Sequence, residues 1–572
     1  MYSKNLLVAF CICLGVRQSV AYLTRNVVCK CIPGDPCWPS AKTWSHFNAT
    51  IGGRLVTPQQ LASVCHNPDY DEAACAYVQK QWTSPFLHDD SSSSIMAAAV
   101  ANESCDPFTS RELPCQAGDS VIYSVNATSA GDFAKAIAFA HRNNIRLVVR
   151  NTGHDYLGKS TGKWALSVWT HHMKNSKYLS NYNSTRYAGP AMKLGAGMQV
   201  EEAYRAAYAY KSLVIGGDCA TVGVAGGYLQ GGGHSALSSL YGMGADQVLE
   251  WEVVDGIGRL LVATPEHNGD LYWALSGGGG GTYGIVVSVT VKLYADMPIT
   301  GVQLQFDLDP RKPEAFHLAV RKYHELVPTI TAAPYHGMGI AEISSTSFVL
   351  TPLTLPNVSR NDAEMLLAPI VQTLGDHALN YSINITASPT WLDHWLKLIE
   401  PNPTQLVQNA QYGGWMVPRE VLGKQSEALH SAIQEITGAG CVFVGLALNA
   451  SQPSLAQDQN SILSSWRDAA LNVILSTPWP NGANLNDMHK QASTMTQTCV
   501  PALSRLAPEA GAYLNEADPN QPDWKEAFYG TNYERLLAVK KRYDPHHLFY
   551  GPTTVGSDYY EIDDSGRLCR VM

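Results

Sequence analysis

The stretch from Gly216 to Gly233 limits this chain more than any other part of it. From Asp218 it reads Asp-Cys-Ala-Thr-Val-Gly-Val-Ala-Gly-Gly-Tyr-Leu-Gln-Gly-Gly-Gly-His-Ser235, too rich in glycine for a regular helix or strand. Such density serves close backbone approach: without Cβ atoms, amides can point into a concavity and hold an anion or a flat ligand. The same composition also suits a structural cluster of turns, and on composition alone the two readings stand level.

The rest of the chain sets the context. Its 572 residues, 45% hydrophobic and 16% charged, suffice for two or three domains. Lys plus Arg number 40 and Asp plus Glu 49, a formal net charge of −9 with no basic run, which argues against nucleic acid as a partner. Met1–Asn5 carries one lysine, Leu6–Val16 is apolar, and Ser19-Val20-Ala21 presents small residues where a signal peptidase reads. Residues 1–21 are therefore expected to be a secretory signal, and the protein secreted. That apolar run covers about 16 Å as a helix, roughly half a bilayer core, so no membrane anchor is expected.

Cysteines and sequons agree with export. Outside the signal stand Cys29, Cys31, Cys37, Cys65, Cys75, Cys105, Cys115, Cys219, Cys441, Cys499 and Cys569, an odd number that leaves one thiol unpaired or otherwise engaged. Seven precede residue 116, which predicts a disulfide-stapled region over 22–114. The single-residue spacer of Cys29-x-Cys31 is too short for the usual zinc pair, so no metal site is expected. Asn-x-Ser/Thr occurs at Asn48, Asn102, Asn126, Asn183, Asn357, Asn380, Asn384 and Asn449, which predicts glycosylation at several of them.

From residue 129 the pattern changes. Ser129-x-x-Asp132 reads as a capping box with the shorter acid, and Phe133, Ala136, Ile137 and Ala140 form a helical stripe. Ile145–Val149 reads as a buried strand, followed by the polar loop 150–158 with His154 in it. The unit repeats: a stripe over Val200–Tyr208, a short strand Leu213–Ile215, then the glycine-rich stretch with Cys219. Leu249–Val253 alternates, and Asp255-Gly256 predicts a ribbon returning through Leu260–Ala263. A short helix over Asp270–Leu275, glycines 277–281 and a strand over Ile285–Leu293 follow. From 299 to 500 the glycine clusters disappear, strands such as Gly301–Leu308 mix with helices such as Pro313–Leu326, and a separate domain is expected. A final helix, Asn532–Arg542, should stop at Asp544-Pro545.

Two familiar motifs fail on context. Gly153-His-Asp-Tyr-Leu-Gly158-Lys159-Ser160 fits the phosphate-loop spacing, but the following Trp164–Trp169 reads as a strand, so no helix N-terminus would face the phosphates. Gly279-x-Gly281-x-x-Gly284 fits the dinucleotide fingerprint with helix and strand in reversed order.

Three segments taken in order do resemble one family. Arg150-Asn-Thr-Gly-His154 after a strand, Cys219-Ala-Thr-Val-Gly-Val-Ala-Gly-Gly227, and Asn268-Gly-Asp-Leu-Tyr-Trp-Ala-Leu-Ser-Gly-Gly-Gly-Gly280 resemble berberine-bridge-enzyme-like FAD-linked oxidases of the vanillyl-alcohol-oxidase superfamily. The C-terminal run from Asn532 through Tyr543-Asp-Pro-His-His-Leu-Phe549 resembles that family's closing segment, and the cysteine-rich start resembles its secreted fungal members. The resemblance implies an α+β fold. A PCMH-type FAD-binding domain over 115–298 would be split by an inserted α/β substrate domain over 299–500 and completed by a return segment, 501–572.

It also implies covalent FAD, with His154 joined to the 8α-methyl and Cys219 to C6 of the ring; Cys219 would then be the odd cysteine. Arg150, Asn151, Thr152, Gly153, Gly158, Thr221, Val222, Gly223, Gly226 and Gly227 would surround the cofactor, with Val222 at a position where family oxidases leave the oxygen path open. An imidazole nitrogen or a thiolate can add to an electron-poor ring. The implied reaction is hydride transfer from a small-molecule alcohol or secondary metabolite to flavin, with O2 as the second substrate and H2O2 as product. Ala512–Asp518 resembles the strand lining the flavin face, making Tyr513 the first candidate base and Asn515 a substrate-binding group. Tyr513 serves equally well as a core tyrosine, and His336, Tyr412 and His394 are further candidates. Two rival readings stand: an oligosaccharide oxidase, needing an open aromatic groove from Trp391, Trp395, Trp415 and Trp479, and a catalytically idle binding glycoprotein.

Overall fold

The computed structural model describes residues 28–101, 105–451 and 459–571; the expected signal, 1–21, and the sequon at Asn102 lie outside them. The first unit forms as its pattern predicts. Strands Tyr123–Asn126 and Leu147–Arg150 run parallel to Leu166–Trp169, which lies between them. The helix Ala130–Arg142 crosses from one to the other and buries Phe133, Ala136, Ile137, Phe139 and Ala140. The Ser129 hydroxyl accepts from the Asp132 amide, and the Asp132 carboxylate accepts from the Ser129 hydroxyl, Thr128 N–H and Arg54, so the shorter acid reaches the amide before the cap instead of the cap's own amide. Leu166–Trp169 follows the His154 loop as a strand, which removes the phosphate-loop reading.

The second unit keeps the local order but not the pairing. Helix Val200–Tyr208 leads into a two-residue strand, Ser212–Leu213, which pairs antiparallel with Tyr294–Ala295 instead of joining a parallel sheet. The glycine run then passes beneath a five-stranded antiparallel sheet in the order Leu260–Ala263, Val248–Asp255, Gly284–Lys292, Ala188–Gly195, Ser176–Asn183. Within the run only one wide helical turn forms, Val224–Tyr228, broken at Gly226.

A seven-stranded antiparallel sheet takes its strands from Ile299 to Pro478, in the order Tyr381–Ser388, Ile299–Asp307, Ser347–Pro356, Met338–Ile343, Val442–Ala447, Ala469–Pro478, Ala410–Pro418. Its alternation divides two faces. Gly339 approaches Tyr323 of the helix Pro313–Thr331, and Phe306 and Phe348 stack near Phe316 on the same side. Register brings Ile340 opposite Leu446, Val444 opposite Ile474 and Leu446 opposite Asn472 on the other side.

Covalent ties and one buried ion pair close the fold. Five disulfides form, Cys29–Cys569, Cys31–Cys37, Cys65–Cys75, Cys105–Cys115 and Cys441–Cys499. Three staple the N-terminal region as expected, whereas Cys29 leaves it to join the far end of the chain, where Val28–Cys29 pairs with Leu568–Arg570. The helix Tyr533–Tyr543 packs on Gly269–Leu275. From it buried Lys540 donates to Asp544 (2.9 Å) and to the carbonyls of Thr282 and Phe549, tying a glycine loop to the closing segment. The expected strand over 512–518 does not form; that segment is an irregular turn, with the Glu516 amide bonded to the Tyr513 carbonyl. Among the described residues no helix is long and apolar enough to cross a membrane.

Candidate functional site

One cavity of about 270 Å³ lies between the glycine-rich loops and the seven-stranded sheet. Its floor comes from the loop after strand Leu147–Arg150, from 217–234 and from Gly280-Gly281; its roof comes from Ile340, Val444, Leu446 and Ile474; Tyr513, Asn515 and Glu516 close one side.

The sequence candidates divide into those that line this space and those that hold the lining. Asn151, Thr152, Gly153, His154, Cys219, Val222, Gly223, Gly226, Gly227, Tyr513 and Asn515 all line it. Arg150, Gly158 and Thr221 do not. Arg150 is buried beneath the first loop and donates to the carbonyls of His88 and Thr152. A Cβ at Gly153, whose φ of +91° already favours glycine, would collide with that guanidinium. Gly158 faces Val100 and Pro552, away from the cavity. Thr221 sits 2.6 Å from His154 through its hydroxyl and ring Nε2. The two loops interlock: a Cβ on Gly223 would strike the side-chain amide of Asn151, and one on Gly280 would come within 3.3 Å of Gly227 Cα.

Burial sets the chemistry of the two reactive side chains. It pushes the His154 imidazole down to about 3, with His88 and Arg150 adding to the effect, so the ring is neutral and keeps a nitrogen lone pair. Cys219 is the free cysteine among the described residues. Burial pushes its thiol up to about 12, the Asp218 and Glu516 carboxylates adding to it, and Sγ–H donates to Gln405 Oε1. Burial and the two neighbouring acids therefore favour the thiol over the thiolate invoked from sequence.

Tyr513 and Asn515 are bound into the floor. Asn515 Nδ2 donates to the Gly227 carbonyl and to the Tyr513 hydroxyl, both at 2.8 Å, and Gly233 N–H donates to the same phenol at 3.2 Å. Burial drives the phenol well above its ordinary value. Of the outer candidates, Tyr412 stacks on cavity-lining Tyr156 at 4.2 Å. His336 is bonded to the Ser239 carbonyl and His394 to Thr354, and neither lines the cavity. Trp391, Trp395, Trp415 and Trp479 are all buried, so no aromatic groove forms from them.

Several lining residues carried no role in the sequence reading: Asp218, His234, Glu516, Gln405, Tyr156 and Lys159. Asp218 and His234 bracket the glycine run, and Glu516 follows Asn515, so an acid beside Cys219 and an imidazole after three glycines were the available signals. Gln405 and Tyr156 gave none. Lys159, lowered to about 8 by burial, is held by the Leu514 carbonyl at 2.7 Å and joins the first loop to the closing segment.

These residues suit a flat, phosphate-bearing cofactor. The floor is a glycine cradle that added Cβ atoms would fill, and the side-chain oxygens of Asn151 and Gln230 are buried in it without partners.

Comparison with known proteins agrees. The FAD binding domain family matches residues 122–264, and the family described as berberine and berberine like matches residues 512–556. The FAD-linked oxidoreductase patO of Aspergillus clavatus is 55% identical over 572 residues, 100% of this chain and 99% of that one. The VAO-type flavoprotein oxidase VAO615 of Thermothelomyces thermophilus is 39% identical over 95% of each chain. The crystal structure of the VAO-type flavoprotein MtVAO615 from Myceliophthora thermophila C1 superposes with a TM-score of 0.90 at 37% identity, covering 95% of this chain and 100% of that one.

Proposed function

The chain belongs to the berberine-bridge-like FAD-linked oxidoreductases of the vanillyl-alcohol-oxidase type, and from that premise we propose that it is a secreted oxidase acting on a small-molecule alcohol or secondary metabolite. When bound, FAD supplies a two-electron acceptor that O2 restores, releasing H2O2. The observation that carries the reading is the meeting of neutral His154 and unpaired Cys219 on one glycine floor. His154 and Cys219 would anchor the flavin covalently, with Thr221 orienting the His154 ring through Nε2. Asn151, Thr152 and Gly153 of the first loop, with Gly223, Gly226 and Gly227 of the second, cradle the phosphates; Arg150, Gly158 and Thr221 support them.

Asn515 orients substrate, and Tyr513, with its proton held by burial, donates a hydrogen bond instead of acting as base. Val222 borders the oxygen path, and the oxidase name of the Thermothelomyces relative supports O2 as acceptor. Segment 299–500 serves as the substrate domain. Asn183, Asn357, Asn380 and Asn384 are exposed and are the sequons proposed to carry glycan. Burial of the four tryptophans removes the support for an oligosaccharide oxidase.

The test is the visible spectrum of purified protein, repeated after acid precipitation. Yellow colour in the pellet is expected, with His154→Ala and Cys219→Ala each weakening its retention. Colour that moves to the supernatant contradicts the covalent bonds; no colour in either fraction returns the idle-glycoprotein reading.

A further inference from the structure

Three carboxylates line the cavity, and their surroundings differ. Asp155 accepts from the backbone amides of Leu157 and Ser160 and from the Ser160 hydroxyl. Glu516 is engaged at both oxygens: Oε1 accepts from His234 Nε2 at 2.8 Å and Oε2 from Asn472 Nδ2 at 2.9 Å. Asp218 is fixed through its backbone, whose carbonyl accepts from Trp395 Nε1 at 3.1 Å, while its carboxylate Oδ1 is buried with no hydrogen-bond partner. His234 Nδ1, in the same lining, is likewise buried and unpartnered. The titratable groups facing Asp218 are His234 and Glu516, the Cys219 thiol, and the phenols of Tyr204 and Tyr228.

We propose that Asp218 is the proton acceptor of this site, that His234 and Glu516 are positioning residues that tune it, and that the substrate is a neutral alcohol with a hydrocarbon body. The proposal rests on the FAD reading above. A base for alcohol oxidation needs a free acceptor atom in the site, and of the three acids Asp218 alone has a buried carboxylate oxygen without a partner while adjoining Cys219 in sequence. Burial pushes its carboxyl up to about 6, His234 works against that rise and Glu516 adds to it. His234 itself stands at about 9: burial opposes its charge, but contact with Glu516 and the charge of Asp218 outweigh it. With two acids beside one imidazole the polar end disfavours an organic acid, and Ile340, Val444, Leu446 and Ile474 offer apolar contact to the rest of the substrate.

In the step itself the alcohol carbon gives up a hydride equivalent to oxidised FAD, the hydroxyl proton passes to the Asp218 carboxylate, and the C–O bond becomes C=O. The carboxyl then returns its proton to solvent.

The experiment compares flavin-loaded wild type with Asp218→Asn, His234→Gln and Glu516→Gln, reading alcohol oxidation and the absorption of the bound flavin against pH. Wild type should lose kcat/KM below about pH 6, and its flavin spectrum should shift over the same range. Asp218→Asn should keep its flavin, lose both transitions and fall by about 10²-fold or more. His234→Gln removes a positive charge and should move both midpoints up in pH, whereas Glu516→Gln should keep both transitions. The upward shift in His234→Gln tests the assignment even where Asp218→Asn fails to fold. Flavin-loaded Asp218→Asn with wild-type rate and transitions overturns the proposal, as does loss of both transitions in Glu516→Gln. Faster oxidation of a carboxylate-bearing alcohol than of its neutral counterpart overturns the substrate class. Wild type without flavin contradicts the FAD reading instead, and the proposal falls with it.

Discussion

The floor of the cavity is turns of glycine pinned by Asn151, Arg150 and Asn515, whereas its roof is one face of an antiparallel sheet paired residue by residue. Several floor glycines have no room for a Cβ, because the side chains of Arg150, Asn151 and Asn515 lie against Gly153, Gly223 and Gly231. The roof is ordinary side-chain packing, in which one aliphatic group can replace another at modest cost. On the proposed reading, cofactor recognition falls to the floor and substrate fit to the roof.

The sharpest way to break this contrast is to add atoms to the floor. Gly223→Val should reduce flavin content to below about a tenth of wild type, read from the absorbance ratio of flavin to protein, because the new side chain strikes Asn151. Wild-type loading would show that the floor adapts as the roof does. Next in size, Lys540→Met leaves the Asp544 carboxylate buried without its cation and frees the Thr282 carbonyl behind the floor. A loss of about 3–5 kcal/mol is expected in denaturant unfolding.

The segment behind the roof should be sensitive to acid. Burial holds His394 down at about 3 and His324 at about 4, the Val320 carbonyl opposing and His430 adding to the latter. An unfolded histidine titrates near 6.5, so below that pH the unfolded chain takes up protons the folded one refuses. The stability these two contribute is full above about 6.5 and is lost as pH falls toward 4, by up to about 1.4 kcal/mol per pH unit for each. Thermal melts from pH 7 to 5.5 should fall by a few degrees, and His324→Leu should flatten the slope. Smallest of all, Ile474→Ala should raise KM for an apolar alcohol about tenfold with flavin content unchanged, in steady-state kinetics.

The same contrast explains what could be read in advance. Glycines, a lone cysteine and a histidine in a polar loop are unusual enough that their order marked the floor, and the helix Ala130–Arg142 followed from its stripe. The roof was invisible because Val444 and Ile474 read like any strand residue; only pairing across the sheet shows which face they take. Ala512–Asp518 looked like a strand by resemblance, but Gly511, at φ +75°, and the turn at Glu516 bend it around the floor. The protonation of the Cys219 thiol is not legible locally, because it follows first from burial and then from Asp218 and Glu516, the second of which comes from nearly three hundred residues away.

The most direct test of the central claim is mass spectrometry of a proteolytic digest of the untreated protein. A single species containing the His154 peptide, the Cys219 peptide and the flavin together is the expected result. Recovery of both peptides at their unmodified masses would contradict it.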